Sequence, residues 1–354
     1  MKIGISIGDI NGIGPEIIIK SLGDDRVTKN FTPVIYGSSK IMSYYKNTIP
    51  DSRINFYHIQ DADKIHTDKI NVVNCWNDNV NIEVGKMNET GGKYAFIALD
   101  RAVKDLIDGK IDALVTAPIN KNAMSLANFP YKGHTEYIAK MAAGQPLMMM
   151  VDDALKVALV TTHIPVSEIS KKITKELVSE KLQILNETLK VDFGIERPRI
   201  AVLGLNPHAG ENGVMGMEEE EIIKPAIIDS KYRGIVAMGP YPADGFFGSQ
   251  DFLKFDAILA MYHDQGLIPF KTLSFEKGVN YTAGLKVIRT SPDHGTAFDI
   301  AGENKANATS FREAIYLALD ISRRRKDYFE MHENPLIKKP KSIFEGEEDD
   351  EILE

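Results

Sequence analysis

Three histidines each follow an apolar run of the kind that forms a buried strand. They are His163, after residues 156–162, His208, after residues 200–207, and His263, after residues 257–261. Short apolar runs bounded by turn signals are typical of strands buried on both faces of a parallel sheet. Parallel neighbours bring their carboxyl ends to one edge, which is where open α/β sheets bind ligands. The three histidines, each within a residue or two of its predicted strand end, are therefore expected to meet at a shared site.

The long and irregular spacing of these histidines does not match a short metal-binding motif such as a zinc finger or the HExxH helix. The prediction of a shared site rests instead on the position of each histidine at the end of a predicted parallel strand. One polar strand end alone would be interpreted as a strand-to-loop corner, but three of them favour a ligand site. Two carboxylates occupy similar places: Asp264 directly follows His263, and Asp244 comes shortly after a strand predicted at residues 235–238.

A second group of polar residues has the chemistry to bind an anion. His134 and Thr135 begin or precede a helix predicted at residues 136–143, and the free backbone N–H groups of a helix start bind phosphate readily. Thr135 also suits a plain N-cap, and the two roles are compatible. Further candidates of this kind, later in the chain, are Lys271, Asn280 and Arg289.

The glycine-rich loop at residues 8–14 invites comparison with a dinucleotide-binding turn. It follows a strand predicted at residues 3–7 and leads into a helix opened by Pro15, where the missing N–H costs nothing. Its spacing is GxxxGxG rather than GxGxxG, and no acidic residue ends a second strand about 20 residues later. We interpret the loop as a tight turn that packs a helix on the sheet, and we do not expect a Rossmann site.

The elements that must position these residues alternate between strands and helices along the chain. Besides the runs above, the sequence predicts strands at residues 33–36, 112–116 and 147–151, and helices at residues 94–108 and 310–328. Gly91 and Gly92 are expected to precede the first of these helices. The length of 354 residues predicts two domains.

Composition excludes several classes of protein. The net charge of −8 argues against a nucleic-acid surface, and Cys75, the one cysteine, indicates a reducing and so cytoplasmic compartment. The chain start is expected to be a strand rather than a signal peptide, and no segment approaches the roughly 20 apolar residues of a membrane helix. The acidic tail at residues 341–354 is expected to be disordered.

Longer motifs resemble a known enzyme family. HGTAFDIAG at residues 294–302 resembles the adenosine-binding loop of the β-decarboxylating dehydrogenases, and GDINGIGPE at residues 8–16 resembles their GDGIGPE. Further stretches narrow the resemblance to the 4-hydroxythreonine-4-phosphate dehydrogenase family; they are TAPINK, GHTE, TTHIP, GLNPHAGE, AMYHDQGL and IRTSPDHGTAFDIAG. They occur in order from Gly8 to about Ser310, which is nearly the whole chain.

The resemblance implies an α/β fold of the isocitrate/isopropylmalate dehydrogenase kind, with two α/β domains flanking a cleft, and not a standard Rossmann fold. Residues 1–128 and 270–340 would form one domain that carries the NAD loop. Residues 129–269 would form the central domain for metal binding and dimerisation. The family is homodimeric with its site at the subunit interface, so the three histidines need not all come from one chain.

The resemblance also implies roles for individual residues. One divalent metal per subunit, with zinc expected and cobalt or magnesium as alternatives, would be held by His163, His208 and His263. The substrate would be held by His134, Thr135, Lys271, Asn280 and Arg289. NAD would be held by His294, Gly295, Thr296, Ala297, Asp299, Ile300 and Asn307. Asp299 near the ribose hydroxyls would repel a 2′-phosphate, so NAD is expected over NADP.

The implied reaction is oxidation of 4-phosphohydroxy-L-threonine, followed by loss of carbon dioxide, in pyridoxal phosphate biosynthesis. Asp244 and Asp264 would hold the substrate amino group or orient a ligand histidine. The sequence leaves the general base unassigned. A sister activity on a phosphorylated sugar acid, 4-phospho-D-threonate or 4-phospho-D-erythronate, would use much the same motifs, and a non-enzymatic phosphate- or metal-binding protein is the more distant alternative.

Overall fold

The computed structural model describes residues 1–50, 52–131 and 133–334, and its framework is a twelve-stranded sheet. In chain order the strands are β1 (Lys2–Ser6), β2 (Thr32–Gly37), β3 (Phe56–Ile59), β4 (Ile70–Asn74), β5 (Ala113–Thr116), β6 (Leu147–Val151), β7 (Lys156–Leu159), β8 (Arg199–Leu203), β9 (Val236–Tyr241), β10 (Ala257–Ala260), β11 (Val279–Ala283) and β12 (Arg289–Pro292). Across the sheet their order is β3-β4-β2-β1-β5-β12-β11-β6-β7-β10-β8-β9.

Helices alternate with these strands along the chain. In chain order they are α1 (Gly14–Leu22), α2 (Asp25–Thr28), α3 (Ser39–Thr48), α4 (Glu89–Ile107), α5 (Lys121–Leu126), α6 (His134–Met141), α7 (Ile169–Lys172), α8 (Lys175–Val191), α9 (Lys224–Tyr232), α10 (Ala243–Gly248), α11 (His263–Ser274) and α12 (Thr309–His332). None of the helices in the described ranges combines the length and the apolar character that crossing a membrane requires.

Two blocks of parallel strands make up the sheet. Strands β3, β4, β2, β1, β5 and β12 run parallel to one another, as do β7, β10, β8 and β9. Antiparallel pairs join the blocks through β11 and β6. The expected α/β class without a standard Rossmann arrangement is confirmed. The domain boundaries remain a prediction, and the tail predicted to be disordered, residues 341–354, lies outside the described residues.

Three strands inside the two blocks are buried over their whole length. Every residue of β2, β5 and β10 is buried, as expected for strands covered by helices on both faces. In α4, Gly91 and Gly92 lie inside the first turn rather than before it, which corrects the predicted helix start. A Cβ on Gly91 would come within 2.4 Å of the Asp9 carboxylate, and one on Gly92 within 2.0 Å of the Ala123 carbonyl oxygen. Glycine at these two positions allows this close packing.

The histidine-bearing strands end earlier than their apolar runs suggested. Strand β7 ends at Leu159 and β8 ends at Leu203, so His163 and His208 each lie several residues beyond their strand rather than within one or two. The neighbours β7, β10 and β8 do lie side by side with β10 in the middle. The topology that the sequence predicted for the three histidines is therefore present, but two of them are carried on loops.

Candidate active site

A cavity of about 360 Å³ lies where β5 and β12 meet β11 and β6. It collects residues that are far apart in the sequence. Those predicted to bind substrate, cofactor or metal and found in its lining are His134, Thr135, His163, Asn280, Arg289, His294 and Gly295. The grouping supports a single site, built from both halves of the sheet.

Arg289 is a buried cation whose hydrogen-bond partners among the described residues are neutral. It is the first residue of β12 and is 3% exposed. Its guanidinium donates to the hydroxyl of Thr116, at 2.7 and 3.1 Å, and to the hydroxyl of Thr282 at 3.2 Å. Burial lowers the pKa of Arg289 to about 10, although the charge of Glu136 opposes that effect. Since a buried cation without a paired anion is costly, this environment favours an anionic ligand.

His134 begins α6 beside Arg289. Its Nδ1 lies 3.3 Å from Nη2 of Arg289, and its Nε2 is buried with no hydrogen-bond partner among the described residues. Burial, together with the positive charges of Arg289 and Lys121, lowers the pKa of His134 well below its usual value. The helix N-cap is Gly133, without a side-chain cap, so the prediction that Thr135 serves as the N-cap is wrong. Thr135 lies in the first turn and lines the cavity.

Two further polar atoms are buried at the cavity without a described partner: Oδ1 of Asn280 and Nε2 of His294. Buried polar groups normally have hydrogen-bond partners, and each exception calls for an explanation. A polar ligand in the cavity would supply these partners.

Lys271 reaches the cavity edge through an ion pair. Its ammonium lies 3.0 Å from Oδ1 of Asp293, which lines the cavity. Burial raises the pKa of Asp293, and the neighbouring Lys271 partly offsets the increase. The pair places a second cation close to the ligand space, on the side of α11.

His163 and His263 lie together at the carboxyl ends of the adjacent strands β7 and β10. Their ring centroids are 5.7 Å apart. The carboxylate of Asp264 lies 2.6 Å from Nδ1 of His263 and leaves Nε2 of that ring available. A carboxylate on the second nitrogen is the usual way in which a metal-binding imidazole is oriented. These two imidazoles therefore have the chemistry of metal ligands.

His208 is carried by an unusual exposed loop after β8. The residues from His208 to Asn212 all have positive φ angles, between 45° and 79°. The loop is anchored by Glu219, which is fully buried and accepts the backbone N–H groups of Leu205 and Asn206, both at 2.7 Å. Within the described part of a single chain, no three His, Cys, Asp or Glu side chains are arranged to hold a metal.

Glu219 is a structural residue that sequence reasoning missed. It lies in the acidic run at residues 218–221, which leads through a π-helical turn, Glu219–Ile223, into α9. Gln265 makes a second such link, since its side-chain oxygen accepts the Met261 N–H at 2.7 Å while its nitrogen donates to the Gly204 carbonyl at 2.6 Å. Gln265 thereby ties the end of β8 to the end of β10, and Glu219 ties the end of β8 to the π-helical turn.

Asp244 lies in the first turn of α10, after the edge strand β9, and its side chain is exposed. Neither Asp244 nor Asp264 is among the described residues that line the cavity. Their predicted roles toward the substrate remain predictions.

The predicted cofactor loop, residues 294–307, directly follows β12 and rests on the glycine-rich loop. The N–H of Ile13 donates to the carbonyl oxygen of Thr296 at 3.0 Å. A Cβ on Gly12 would come within 2.9 Å of that same oxygen, so only glycine allows the approach. The glycine-rich loop therefore packs against the predicted cofactor loop and supports it.

The remaining residues of the cofactor loop differ in their surroundings. Asp299 is exposed and Ile300 is half-buried, while Ala297 has a φ of 39°. Asn307 is exposed, and its side-chain oxygen accepts the N–H of Thr309 at 2.9 Å, which forms an Asx-type turn just before α12.

Known proteins are similar to this chain over most of its length. A family model described as "Pyridoxal phosphate biosynthetic protein PdxA" matches residues 29–318. A 4-hydroxythreonine-4-phosphate dehydrogenase of Bacteroides thetaiotaomicron is 49% identical over 355 residues, which cover 100% of this chain and 96% of that protein. A putative D-threonate 4-phosphate dehydrogenase of Oceanobacillus iheyensis is 39% identical over 325 residues, covering 90% of this chain and 97% of the relative.

The fold of this chain is also similar to that of solved structures. The crystal structure of 4-hydroxythreonine-4-phosphate dehydrogenase from Klebsiella pneumoniae superimposes with a TM-score of 0.80 at 36% identity, covering 91% of this chain and 98% of that one. The family model spans most of the chain, and both relatives and the structure exceed 30% identity over at least nine-tenths of it. The chain therefore belongs to the PdxA family of pyridoxal phosphate biosynthetic proteins.

Proposed function

We propose that the chain catalyses the NAD-dependent oxidation of 4-phosphohydroxy-L-threonine to 2-amino-3-oxo-4-(phosphooxy)butyrate. That β-keto acid loses carbon dioxide to give 3-amino-2-oxopropyl phosphate, in pyridoxal phosphate biosynthesis. The observation that carries the proposal is the buried guanidinium of Arg289, whose hydrogen-bond partners among the described residues are hydroxyl groups and an imidazole. The names of the relatives supply the substrate and the reaction.

The chain's own residues would bind the two anionic ends of this substrate. Arg289 offers a fixed, desolvated cation, and the neutral His134 offers an N–H beside it. Charge-assisted hydrogen bonds of this kind are about twice as strong as neutral ones. Lys271 supplies a second cation at the cavity edge, held by Asp293. Asn280 contributes a buried amide oxygen, which suits the substrate ammonium or a hydroxyl group.

NAD would lie along the loop at residues 294–307, and the chemistry that it supplies when bound is acceptance of the hydride from the carbinol carbon. The position of this loop supports the assignment, because it begins in the cavity at His294 and Gly295 and continues to the exposed Asp299. The loop can therefore contact the substrate at one end and a ribose at the other.

His163, His208 and His263 would hold a divalent metal, which we expect to be zinc, with cobalt or magnesium as alternatives. A bound metal supplies Lewis-acid chemistry toward the substrate hydroxyl and the later carbonyl group. His163 and His263 fit this role as neighbouring imidazoles, and Asp264 orients the second of them. His208 is exposed on its loop and so is accessible to a second subunit. We propose a homodimer in which the ligand set is completed between subunits. A cytoplasmic location is part of the same proposal.

A second candidate function has a specific observation in its favour. The relative from Oceanobacillus iheyensis, named as a D-threonate 4-phosphate dehydrogenase, shares 39% of its residues with this chain. The two substrates differ at C2, where one carries an ammonium group and the other a hydroxyl. We expect Asp244 to distinguish them by pairing with the ammonium.

The test is NAD reduction by purified, metal-replete protein on 4-phosphohydroxy-L-threonine and on 4-phospho-D-threonate and 4-phospho-D-erythronate, with carbon dioxide release followed in parallel. We expect turnover and decarboxylation with the amino acid. Turnover of a sugar acid alone would replace the proposed substrate by the second candidate. If none of the substrates reduces NAD, the proposed dehydrogenase activity is wrong.

A further inference from the structure

An ion pair between the buried Glu16 and the partly exposed Lys20 joins the glycine-rich motif to the cofactor loop. Glu16 lies in the first turn of α1 and is 2% exposed, and Lys20 lies one turn later on the same helix. The ammonium of Lys20 donates to Oε1 of Glu16 at 2.7 Å. The same carboxylate oxygen accepts the backbone N–H of Ala306 at 2.9 Å. A single carboxylate thus contacts both its own helix and a segment of the chain almost 300 residues away.

Lys20 completes the connection. Besides Glu16, its ammonium donates to the carbonyl oxygens of Asn304, at 3.0 Å, and Ala306, at 2.9 Å. An ammonium has three N–H donors, and all three are used here. Glu16 and Lys20 therefore hold the backbone of residues 304–306 from both its donor and its acceptor side.

This clamp is one of two anchors on the cofactor loop. The other is the hydrogen bond from Ile13 to the carbonyl oxygen of Thr296. Both anchors come from residues 8–20, and the exposed Asp299 lies between them. Asn307 follows the second anchor directly. The path of the loop past a bound dinucleotide is consequently set by the two ends of one short segment.

We propose that Glu16 and Lys20 are positioning residues that preform the loop at residues 294–307 for the dinucleotide. The proposal rests on the proposed NAD-dependent function. A partly buried ion pair contributes little net stability, and here its hydrogen bonds hold the loop backbone from both sides. A loop that is already ordered loses less conformational entropy when its ligand binds, which strengthens binding. Neither residue contacts the cavity, so the effect is directed at the cofactor and not at the phosphorylated substrate.

The experiment replaces Glu16 by Gln in the full-length protein. The dissociation constant for NADH is measured by fluorescence, and that for 4-phosphohydroxy-L-threonine by calorimetry. Hydrogen exchange of the peptide covering residues 294–307 is followed without ligands. We expect the NADH constant to rise about tenfold while the substrate constant stays within about twofold of the original. Exchange in the loop should become faster.

The matched control is Asp105→Asn. Asp105 is also a buried carboxylate, 3% exposed, and it pairs with Arg101 at 3.2 Å within α4. Its loss should lower the melting temperature without changing the NADH constant. Lys20→Met provides an independent variant that removes the other half of the clamp, and it carries the test if the Glu16 variant does not fold. Lys20→Arg keeps the charge and should recover part of the affinity.

Several outcomes would overturn the proposal. One is an unchanged NADH constant and unchanged loop exchange in a protein whose original form binds NADH. Another is an equal weakening of both ligands, which would indicate general loosening. If the unaltered protein does not bind NADH at all, the proposed function has failed instead, and the exchange data still show whether the clamp orders the loop.

Discussion

Nη2 of Arg289 lies 3.3 Å from Nδ1 of His134, and both side chains are buried. A guanidinium can only donate, so Nδ1 must accept, and the proton of the neutral ring is on Nε2. That nitrogen is one of the buried atoms without a described partner. Burial and the charge of Arg289 both lower the pKa of His134, so the ring is neutral at pH 7. The pair therefore presents one cation and one neutral donor to a ligand.

Replacing Arg289 by Met should weaken substrate binding far more than it affects the fold. Losing a desolvated charge-assisted contact should raise KM for the phosphorylated substrate about 100-fold. Among the residues that the structure describes, no anion contacts this buried cation, so its removal should leave the melting temperature unchanged or higher. Steady-state kinetics with each substrate varied separately provides the test. A rise confined to KM for NAD would show that Arg289 has been misplaced.

Stability should fall in mild acid because of His134. Its pKa in the folded state is below the usual value of 6.5, so the unfolded chain takes up a proton first as the pH decreases. The stability is therefore present above about pH 6.5 and is lost below it, at up to about 1.4 kcal/mol per pH unit. His134→Gln should flatten this slope in urea unfolding between about pH 7 and about pH 5. The exposed His58 is the control, and an identical slope in the His134 variant would contradict the assignment.

Asp9 should make the stability depend on pH in the opposite direction from His134. This carboxyl is 1% exposed, and burial raises its pKa from 3.8 to about 6 although the Asn11 N–H partly opposes the increase. The folded state holds the proton more tightly, so the contribution to stability is present below pH 3.8 and is lost as the pH rises through 6. Asp9→Asn keeps an acceptor for Asn11 and should stabilise the protein at pH 8 by up to about 3 kcal/mol. Its advantage should disappear near pH 4, and a difference independent of pH would refute the explanation.

Much of this site could be predicted because its strands have sequence patterns that extend over only a few neighbouring residues. Buried strands appear as short apolar runs, and β6 has the predicted bounds, Leu147–Val151. The three histidines follow neighbouring strands. This could be expected because parallel strands allow few alternative orders in a sheet. Gly91 and Gly92 were misinterpreted, however, because a glycine pair usually marks a helix boundary. Here distant groups, Asp9 and Ala123, pack against the helix where the two glycines lie.

Other features depend on tertiary contacts that have no local pattern. Glu219 is one of four consecutive glutamates, and nothing in the sequence distinguishes it from its neighbours. It is buried because the chain at residues 204–206 folds over it and donates backbone N–H groups. The clamp formed by Glu16 likewise requires a segment almost 300 residues away. The structural role of such polar residues can be recognised only when the partners that they contact in the fold are known.

The choice of dinucleotide should depend on Asp299. Its exposed carboxylate lies on the loop that we assign to the cofactor, where it would repel a 2′-phosphate. We expect kcat/KM to be higher with NAD than with NADP, and Asp299→Ser should reduce the ratio about tenfold. Glu303→Gln is the control, because Glu303 lies on the same loop and pairs with Lys305 at 2.7 Å. A native preference for NADP would refute this role.

The metal assignment and the dimer can be tested together by mixing variants. His163→Ala and His208→Ala should each be inactive and correctly folded, because His163 and His208 are exposed. If the ligands come from two subunits, a mixed dimer restores one complete site, since its intact His163 and intact His208 then belong to different chains. Random reassociation of equal amounts should recover about one quarter of the original activity, as half of the dimers are mixed and each has one working site.

The same mixture discriminates against the alternative in which all three histidines come from one chain. In that arrangement every subunit lacks a ligand, so reassociation restores nothing even when a mixed dimer is purified by two different tags. Metal content measured on that dimer separates the two causes of inactivity. One metal per mixed dimer with activity supports shared sites, and one metal without activity assigns one of these histidines to the reaction rather than to the metal. Activity in His208→Ala alone would remove that residue from the site.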